Sequence, residues 1–205
     1  MFTGIVKGQA VITTIKDSAD ELFRSLTIQF PTGSLDKLTK GASIALNGTC
    51  LTVTAFDEQQ AVACFDVIAE TLSKTNLGDL SVGQRLNFER AARYGDEIGG
   101  HIMSGHIFDT VELIDTLKTT NNTILTFSLP ETAHPYVLSK GFVGLNGCSL
   151  TVGAVGNNQF DVHLIPETLE VTTFGELKVG ARVNLELDPS TQAIVDTVRR
   201  VMANS

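Results

Sequence analysis

Short apolar runs, and apolar residues alternating with polar ones, are broken by Gly, Pro, Asn and Asp along most of this chain. Ile5, Val6, Val11, Ile12 and Ile15, with Gly4 and Gly8 nearby, predict a strand bent at glycine over residues 2–15. Leu26, Ile28 and Phe30 alternate with Thr27 and Gln29 in a second strand, which Pro31 stops, and residues 34–38 read as a short helical turn. Residues 43–46, 51–56 and 61–67 continue as short strands. The second half repeats the pattern at 107–113, 124–129, 141–145, 150–155, 160–165 and 183–187. Six short strands per half, about ten residues apart, predict an all-β fold, and closure into antiparallel barrels would remove exposed edges. The period alone fits a sandwich equally well.

After residue 187 the period changes. DPSTQAIVDTVRRVMANS places Asp188 as a cap, Pro189 at the first helical position, and Ile194, Val195, Val198, Val201 and Met202 on one face. A helix this short is marginal in water, so the apolar face must be covered. Its own barrel is one cover. A seam with the same helix of other subunits is the other, and Thr191, Ile194, Val198 and Val201 have the spacing for it.

The chain is also duplicated. NGTCLTV at 47–53 returns as NGCSLTV at 146–152, and FTGIV from Phe2 pairs with MSGHI from Met103. ETLSKTNLGDLSVGQRLNFE at 70–89 matches ETLEVTTFGELKVGARVNLE at 167–186 in eleven of twenty positions without a gap, which chance does not produce. The expected organisation is a first domain at 1–90, a polar glycine-ended linker at 91–97, a second domain at 98–188 and a terminal helix at 189–205. Three repeat positions differ in chemistry: Cys50 against Ser149, Ile5 against His106, and Asp66 against His163. Drift between small side chains and a division of labour between two similar pockets both fit these differences.

With 42% hydrophobic and 19% charged residues, the 205-residue chain has apolar surface for two packed cores and is not a disordered polymer. A net charge of −8 argues against a nucleic-acid partner, which would require clustered cations. No apolar run is long enough to span a bilayer and the first residues lack a signal pattern, so no membrane partner is expected and the protein reads as cytoplasmic. Cys50, Cys64 and Cys148 are odd in number and without C-x-x-C spacing, which predicts free thiols. His101 and His106 stand five apart with no thiol or carboxylate cluster nearby, so no metal site is expected. A histidine in such a glycine-rich turn reads as a hydrogen-bonded structural residue or as a group titrating near neutral pH. No phosphate loop, dinucleotide fingerprint or G-x-S-x-G elbow occurs, which points to a reaction without a cofactor.

MFTGIV, NGTCLTV, ETLSKTNLG, GGHIMSGH, NGCSLTV, IPETLEVTT and DPSTQAIVDTV occur in order along the chain. In these motifs the chain resembles the riboflavin synthase family, α-chain type, over its whole length. The resemblance implies two tandem homologous six-stranded antiparallel Greek-key barrels plus a C-terminal α-helix. It implies dismutation of two molecules of 6,7-dimethyl-8-ribityllumazine to riboflavin and 5-amino-6-ribitylaminouracil, with no cofactor and no metal. It also implies a homotrimer in which the first barrel of one subunit meets the second barrel of another, with the helices at the trimer axis. Two homologous pockets suit a reaction that must hold two copies of one substrate face to face.

Carried over by the resemblance, the first pocket comprises Gly4, Ile5 and Val6, then Cys50, Leu51 and Thr52, and a strand of Asp66, Val67, Ile68, Ala69, Glu70 and Thr71. The second comprises Gly105, His106 and Ile107, then Lys140, then Ser149, Leu150 and Thr151, and finally Leu164, Ile165, Pro166, Glu167, Thr168 and Leu169. Catalytic positions implied are Cys50, His106, Ser149, Thr151 and Asp188. The 7-methyl group of the lumazine is acidic enough for a modest base, or water activated by His106, to deprotonate. Water, a ribityl hydroxyl, Ser149 or the Cys50 thiolate would then add at C7 of the partner molecule, with Thr151 orienting and Asp188 holding or relaying a proton. Cys148 should face away from the pocket if Ser149 faces it, since strand neighbours point to opposite faces. The competing class is the non-catalytic lumazine protein of luminous bacteria, an optical antenna of the same fold. The intact second-half motifs favour the enzyme.

Overall fold

The computed structural model describes residues 1–19 and 22–204, so Ser205 of the expected terminal segment lies outside the described residues. The first half contains β1 (Gly8–Asp17), β2 (Phe23–Gln29), β3 (Ser43–Leu46), β4 (Thr49–Asp57), β5 (Val62–Ile68) and β6 (Arg85–Arg90). The second contains β7 (Asp109–Lys118), β8 (Thr123–Ser128), β9 (Phe142–Leu145), β10 (Cys148–Gly156), β11 (Gln159–Leu164) and β12 (Arg182–Leu187). Each set closes on itself: the order around the first is β1-β2-β5-β4-β3-β6, and β7-β8-β11-β10-β9-β12 runs the same way round the second. Because β1 bonds to both β2 and β6, no edge is left, and the choice between barrel and sandwich falls to the barrel. Register shifts at Ile12/Thr14, Val53/Ala55, Leu113/Asp115 and Val152/Val155 fall at equivalent places in the two repeats and let the strands bend into closure.

Inward positions fill the barrels. Ile12, Leu26, Ile28, Ile44, Phe65 and Leu86 pack in the first; Leu113, Leu125, Phe127, Phe160, Val183 and Leu185 pack in the second. Both hairpins at the repeat are two-residue turns with positive φ, at Asn47 (45°) and Gly48 (80°) and at Asn146 (42°) and Gly147 (80°), the geometry that Asn-Gly favours. These two turns abut. A Cβ on Gly48 would lie 2.7 Å from the Gly147 nitrogen, so both glycines are required by contact as well as by φ.

Around that contact the barrels are joined by asparagine. Asn184 Nδ2 donates to the Asn47 carbonyl (2.8 Å) and Asn87 Nδ2 to the Asn146 carbonyl (3.0 Å), a symmetric exchange about a pseudo-two-fold axis. Asn47 Oδ1 and Asn146 Oδ1 accept from the backbone of Asn87 and Asn184. Asn184 Oδ1 accepts from the backbone N–H of Asn76, and Asn87 Oδ1 from that of Thr173. Buried polar groups survive where their partners are present, and here each asparagine supplies one to the opposite repeat.

One expectation from the pattern and one from the resemblance are corrected. The bent strand predicted over 2–15 begins only at Gly8; residues before it form a separate lead-in whose Phe2 bridges antiparallel to Met103 in the corresponding lead-in of the second repeat. The strand carried by the resemblance through Thr71 stops earlier, since β5 ends at Ile68 and the short helix α1 (Ala69–Lys74) follows; in the second repeat β11 ends at Leu164, within a residue of the strand expected at 160–165, and α2 (Pro166–Val171) follows. Pro166 opens α2 at a position where its missing N–H is harmless. Residues 34–38 form successive i→i+3 turns, as expected.

The terminal helix α3 (Pro189–Ala203) is present, with Asp188 as N-cap accepting from the Ser190 and Thr191 nitrogens. The expected single apolar face is divided. Val195 packs on the second barrel, where Tyr136 donates to Asp196 at 2.5 Å and Arg199 lies over the tyrosine ring at 5.6 Å. Ile194, Val198, Val201 and Met202 face solvent. Among the described residues no helix is long and apolar enough to cross a membrane.

Candidate functional site

Antiparallel pairing puts the start of β4 beside the end of β5, and the start of β10 beside the end of β11, so each barrel has one end carrying most of the residues expected in its pocket. Alternation then sorts the side chains. Cys50 and Thr52 point out from the first barrel while Leu51 and Val67 point into its core. Ser149 and Thr151 point out from the second, and Leu150 and Leu164 point in with Cys148. Burial pushes the Cys148 thiol up to about 12, which makes it an inert packing residue on the face away from Ser149. Thus Leu51, Val67, Leu150 and Leu164 can offer a ligand only backbone.

The lead-ins cross over. Gly4, grouped above with Cys50, gives its carbonyl to the Ser149 nitrogen (2.8 Å), and Gly105, grouped with Ser149, gives its carbonyl to the Cys50 nitrogen (2.9 Å). Val6 is buried in the second core, and Ile5 lies against Gly99. The two pockets therefore exchange partners: Gly4, Ile5 and Val6 belong with the second barrel, and Gly105 and exposed His106, followed by half-buried Ile107, with the first. The reason is steric. A Cβ on Gly4 would meet that of Ser149 at 2.5 Å and one on Gly105 that of Cys50 at 2.5 Å, a fit that only glycine at positive φ (73° and 81°) allows.

A buried glutamate ties down each lead-in. Glu89 accepts from the Thr3 nitrogen and hydroxyl (both 2.7 Å) and from the Gly4 nitrogen (3.0 Å). Glu186 accepts from the Ser104 nitrogen (2.6 Å) and hydroxyl (2.8 Å) and from the Gly105 nitrogen. Burial raises both carboxyls above their ordinary value, against the pull of these donors. The sequence reading passed over both glutamates, although their repetition at the end of the 70–89 and 167–186 match was a signal.

Flanking residues are open to solvent. Asp66 accepts from Ser25 (2.6 Å), and Ile68, Ala69 and Glu70 are exposed at the start of α1, with Thr71 half-buried. Ile165, Pro166 and Glu167 are exposed in the second repeat, Thr168 and Leu169 are half-buried, and Lys140 is exposed at φ 68°. A cleft of about 640 Å³ lies elsewhere, over the asparagine network, where Arg85–Glu176 and Arg182–Asp79 pair across the barrels; it contains none of the expected site residues.

A residue left open above between a structural and a titrating role joins the site. His101 Nδ1 lies 2.6 Å from the Ser149 hydroxyl, and its ring stacks on Phe142 at 5.3 Å. Burial lowers the imidazole pKa, with Asp188 pulling the other way. Burial acts to raise Asp188 in turn, but hydrogen bonds from Thr191 and Ser190 outweigh it and hold the carboxyl below its ordinary value. In the repeat, Asp188 corresponds to Ala91, so the first barrel lacks that carboxylate.

The Lumazine binding domain family matches twice, at residues 3–91 and 104–188. Riboflavin synthase of Escherichia coli strain K12 is 52% identical over 204 residues, 99% of this chain and 94% of that protein. Riboflavin synthase of Mycobacterium bovis is 40% identical over 209 residues, covering all of both chains. Among solved structures, LumP complexed with riboflavin is similar at 25% identity with a TM-score of 0.83, covering 91% of this chain and 99% of that one. LumP complexed with 6,7-dimethyl-8-(1'-D-ribityl) lumazine gives 0.81 at 24%, with the same coverage, and shows the shared fold. With both repeats matched and relatives of this identity spanning its length, the chain belongs to the riboflavin synthase family.

Proposed function

We infer that the protein converts two molecules of 6,7-dimethyl-8-ribityllumazine into riboflavin and 5-amino-6-ribitylaminouracil, one passing a four-carbon unit to the other. The observation that carries this is the pairing of full-length identity to riboflavin synthases with two similar barrel ends that differ at Cys50 and Ser149. Each end would hold one lumazine: strand backbone at Leu51 and Leu150 for the ring edge, and Thr52, Asp66, Thr151 and the first residues of α1 and α2 for the ribityl hydroxyls. Thr52, His106, Thr151 and Ile165 are exposed, so the two lumazines would be enclosed only when the first barrel of one subunit faces the second barrel of another. The exposed Ile194, Val198 and Met202 of α3 supply an apolar seam for that homotrimer. His106, on the Cys50 side, would assist deprotonation of the 7-methyl group, and Ser149 would serve the partner molecule beside Asp188. Small polar substrates of this kind fit a cytoplasmic enzyme.

The likeness to LumP favours a second reading, a lumazine- or flavin-binding antenna. Incubating the pure protein with the ribityllumazine and no other reactant separates the two. Riboflavin fluorescence rising by one riboflavin per two lumazines consumed supports the enzyme. Saturable binding without product contradicts it and supports the antenna.

A further inference from the structure

Cys50 and Ser149 occupy equivalent positions, yet their surroundings differ. Cys50 packs against the small cluster of Phe2, Ala45 and Met103, as does Ala91. Ser149 is covered by the inter-barrel segment: a Cβ on Gly100 would lie 2.4 Å from the Thr3 carbonyl oxygen and 2.6 Å from the Ser149 Cβ, so the backbone is pressed onto β10 and delivers His101 to the hydroxyl. His101 is only 8% exposed. Its Nε2 is buried with no hydrogen-bond partner among the described residues, so the 2.6 Å contact between Nδ1 and Ser149 is the ring's polar anchor. A buried imidazole with one nitrogen unsatisfied is unfavourable for stability alone and is the kind of exception that a functional demand explains. The groups facing it are the Ser149 hydroxyl from β10, the Phe142 ring from β9, the backbone of Gly100 on its own segment, and Asp188 at the end of β12 as the charged one.

We propose that His101 is a positioning residue that acts through Ser149, accepting the serine proton at Nδ1 so that Oγ can take a proton from the lumazine held at the second barrel. This rests on the lumazine-converting reading above. As the substrate proton passes to Oγ, the Ser149 proton passes to Nδ1. The substrate keeps the electron pair, and the imidazolium formed lies in the field of the Asp188 carboxylate. The relay is confined to one of two duplicated sites, because His101 comes from the segment between the barrels and Asp188 faces Ala91 across the repeat.

The test compares parent, Ser149→Ala, His101→Ala, His101→Asn and the double alanine variant by steady-state turnover and by imidazole NMR titration. Asparagine can keep a hydrogen bond to Ser149 but cannot take its proton. The expected result is a fall in kcat of about a hundredfold in all variants with little change in KM, and a double variant no worse than either single one. The titration of His101 should shift by at least about half a unit in Ser149→Ala, each unit being one tenfold change in proton affinity. Parental kcat in His101→Asn, or effects that multiply in the double variant, overturns the relay. If the parent makes no riboflavin, the proposed function falls by itself; the NMR titration then decides the inference, and an unshifted His101 in Ser149→Ala overturns it.

Discussion

At one barrel end Cys50 packs against Phe2, Ala45 and Met103; at the other the Ser149 hydroxyl meets His101 with Asp188 close by. The scaffolds beneath are nearly superimposable in logic: the same strand order, the same bulges, the same glycine lead-in and the same buried glutamate. What separates the ends is a few side chains, one of them from a segment outside the repeat. Duplication supplies two equal cradles, and chemistry becomes unequal through what is laid over them.

The largest expected effect probes what the ends share. Gly48→Ala and Gly147→Ala each put a Cβ within 3 Å of the other turn's backbone, and each should lower stability by about 3 kcal/mol or more. Gly41→Ala, at φ 85° in open space, should cost only about 1 kcal/mol by urea unfolding. Equal losses at all three would mean that the abutting turns do not hold the barrels together.

Next comes the unequal pair. Ser149→Ala should reduce turnover about a hundredfold and Cys50→Ala about tenfold, since the serine has a buried base to work with. The reverse order in kcat would move the critical chemistry to the first barrel.

The two glutamates sharpen the comparison further. Glu186 takes the Ser104 nitrogen and hydroxyl on one oxygen and shares the Gly105 N–H between both, so a glutamine can keep all three donors on its carbonyl; Glu89 splits Thr3 and Gly4 between two, so its glutamine would turn an NH₂ on the Gly4 N–H. Glu89→Gln should therefore cost about 2 kcal/mol and Glu186→Gln about half that. Both carboxyls titrate above 4.5 in the fold, so their contribution is complete below that pH and is lost as pH rises through the folded value. Thermal unfolding should accordingly show the deficit of each glutamine variant shrinking as pH rises.

The smallest effect is at the helix cap. Asp188→Ala should cost about 1 kcal/mol of stability. The Asp188 pKa is depressed, so that stability is present above its ordinary 3.8 and is lost as pH falls through the folded value. A deficit that persists unchanged in acid would show that the cap does not depend on the carboxylate.

Much of this was legible in the chain. Strand alternation, the two Asn-Gly turns, the duplication and the Asp188 cap are local signals, and local geometry obeys them. The lead-ins were misassigned because a repeat reveals which segments are equivalent but not which barrel an equivalent segment docks on; the contact of Gly4 with Ser149 spans most of the chain. The strand implied through Thr71 runs too far because ETL has no strand alternation of its own; in the second repeat Pro166 marks the helix start. The sequence leaves His101 open between a structural and a titrating role because its partner, Ser149, lies 48 residues away.

The reciprocal exchange Cys50→Ser with Ser149→Cys, assayed for riboflavin formation and for lumazine binding, addresses the claim that the two ends are chemically distinct. The account predicts that the exchanged protein still binds a lumazine at each barrel but turns over at least about tenfold more slowly, a barrier about 1.4 kcal/mol higher. A parental rate in the exchanged protein would contradict it, leaving Cys50 and Ser149 as interchangeable small residues.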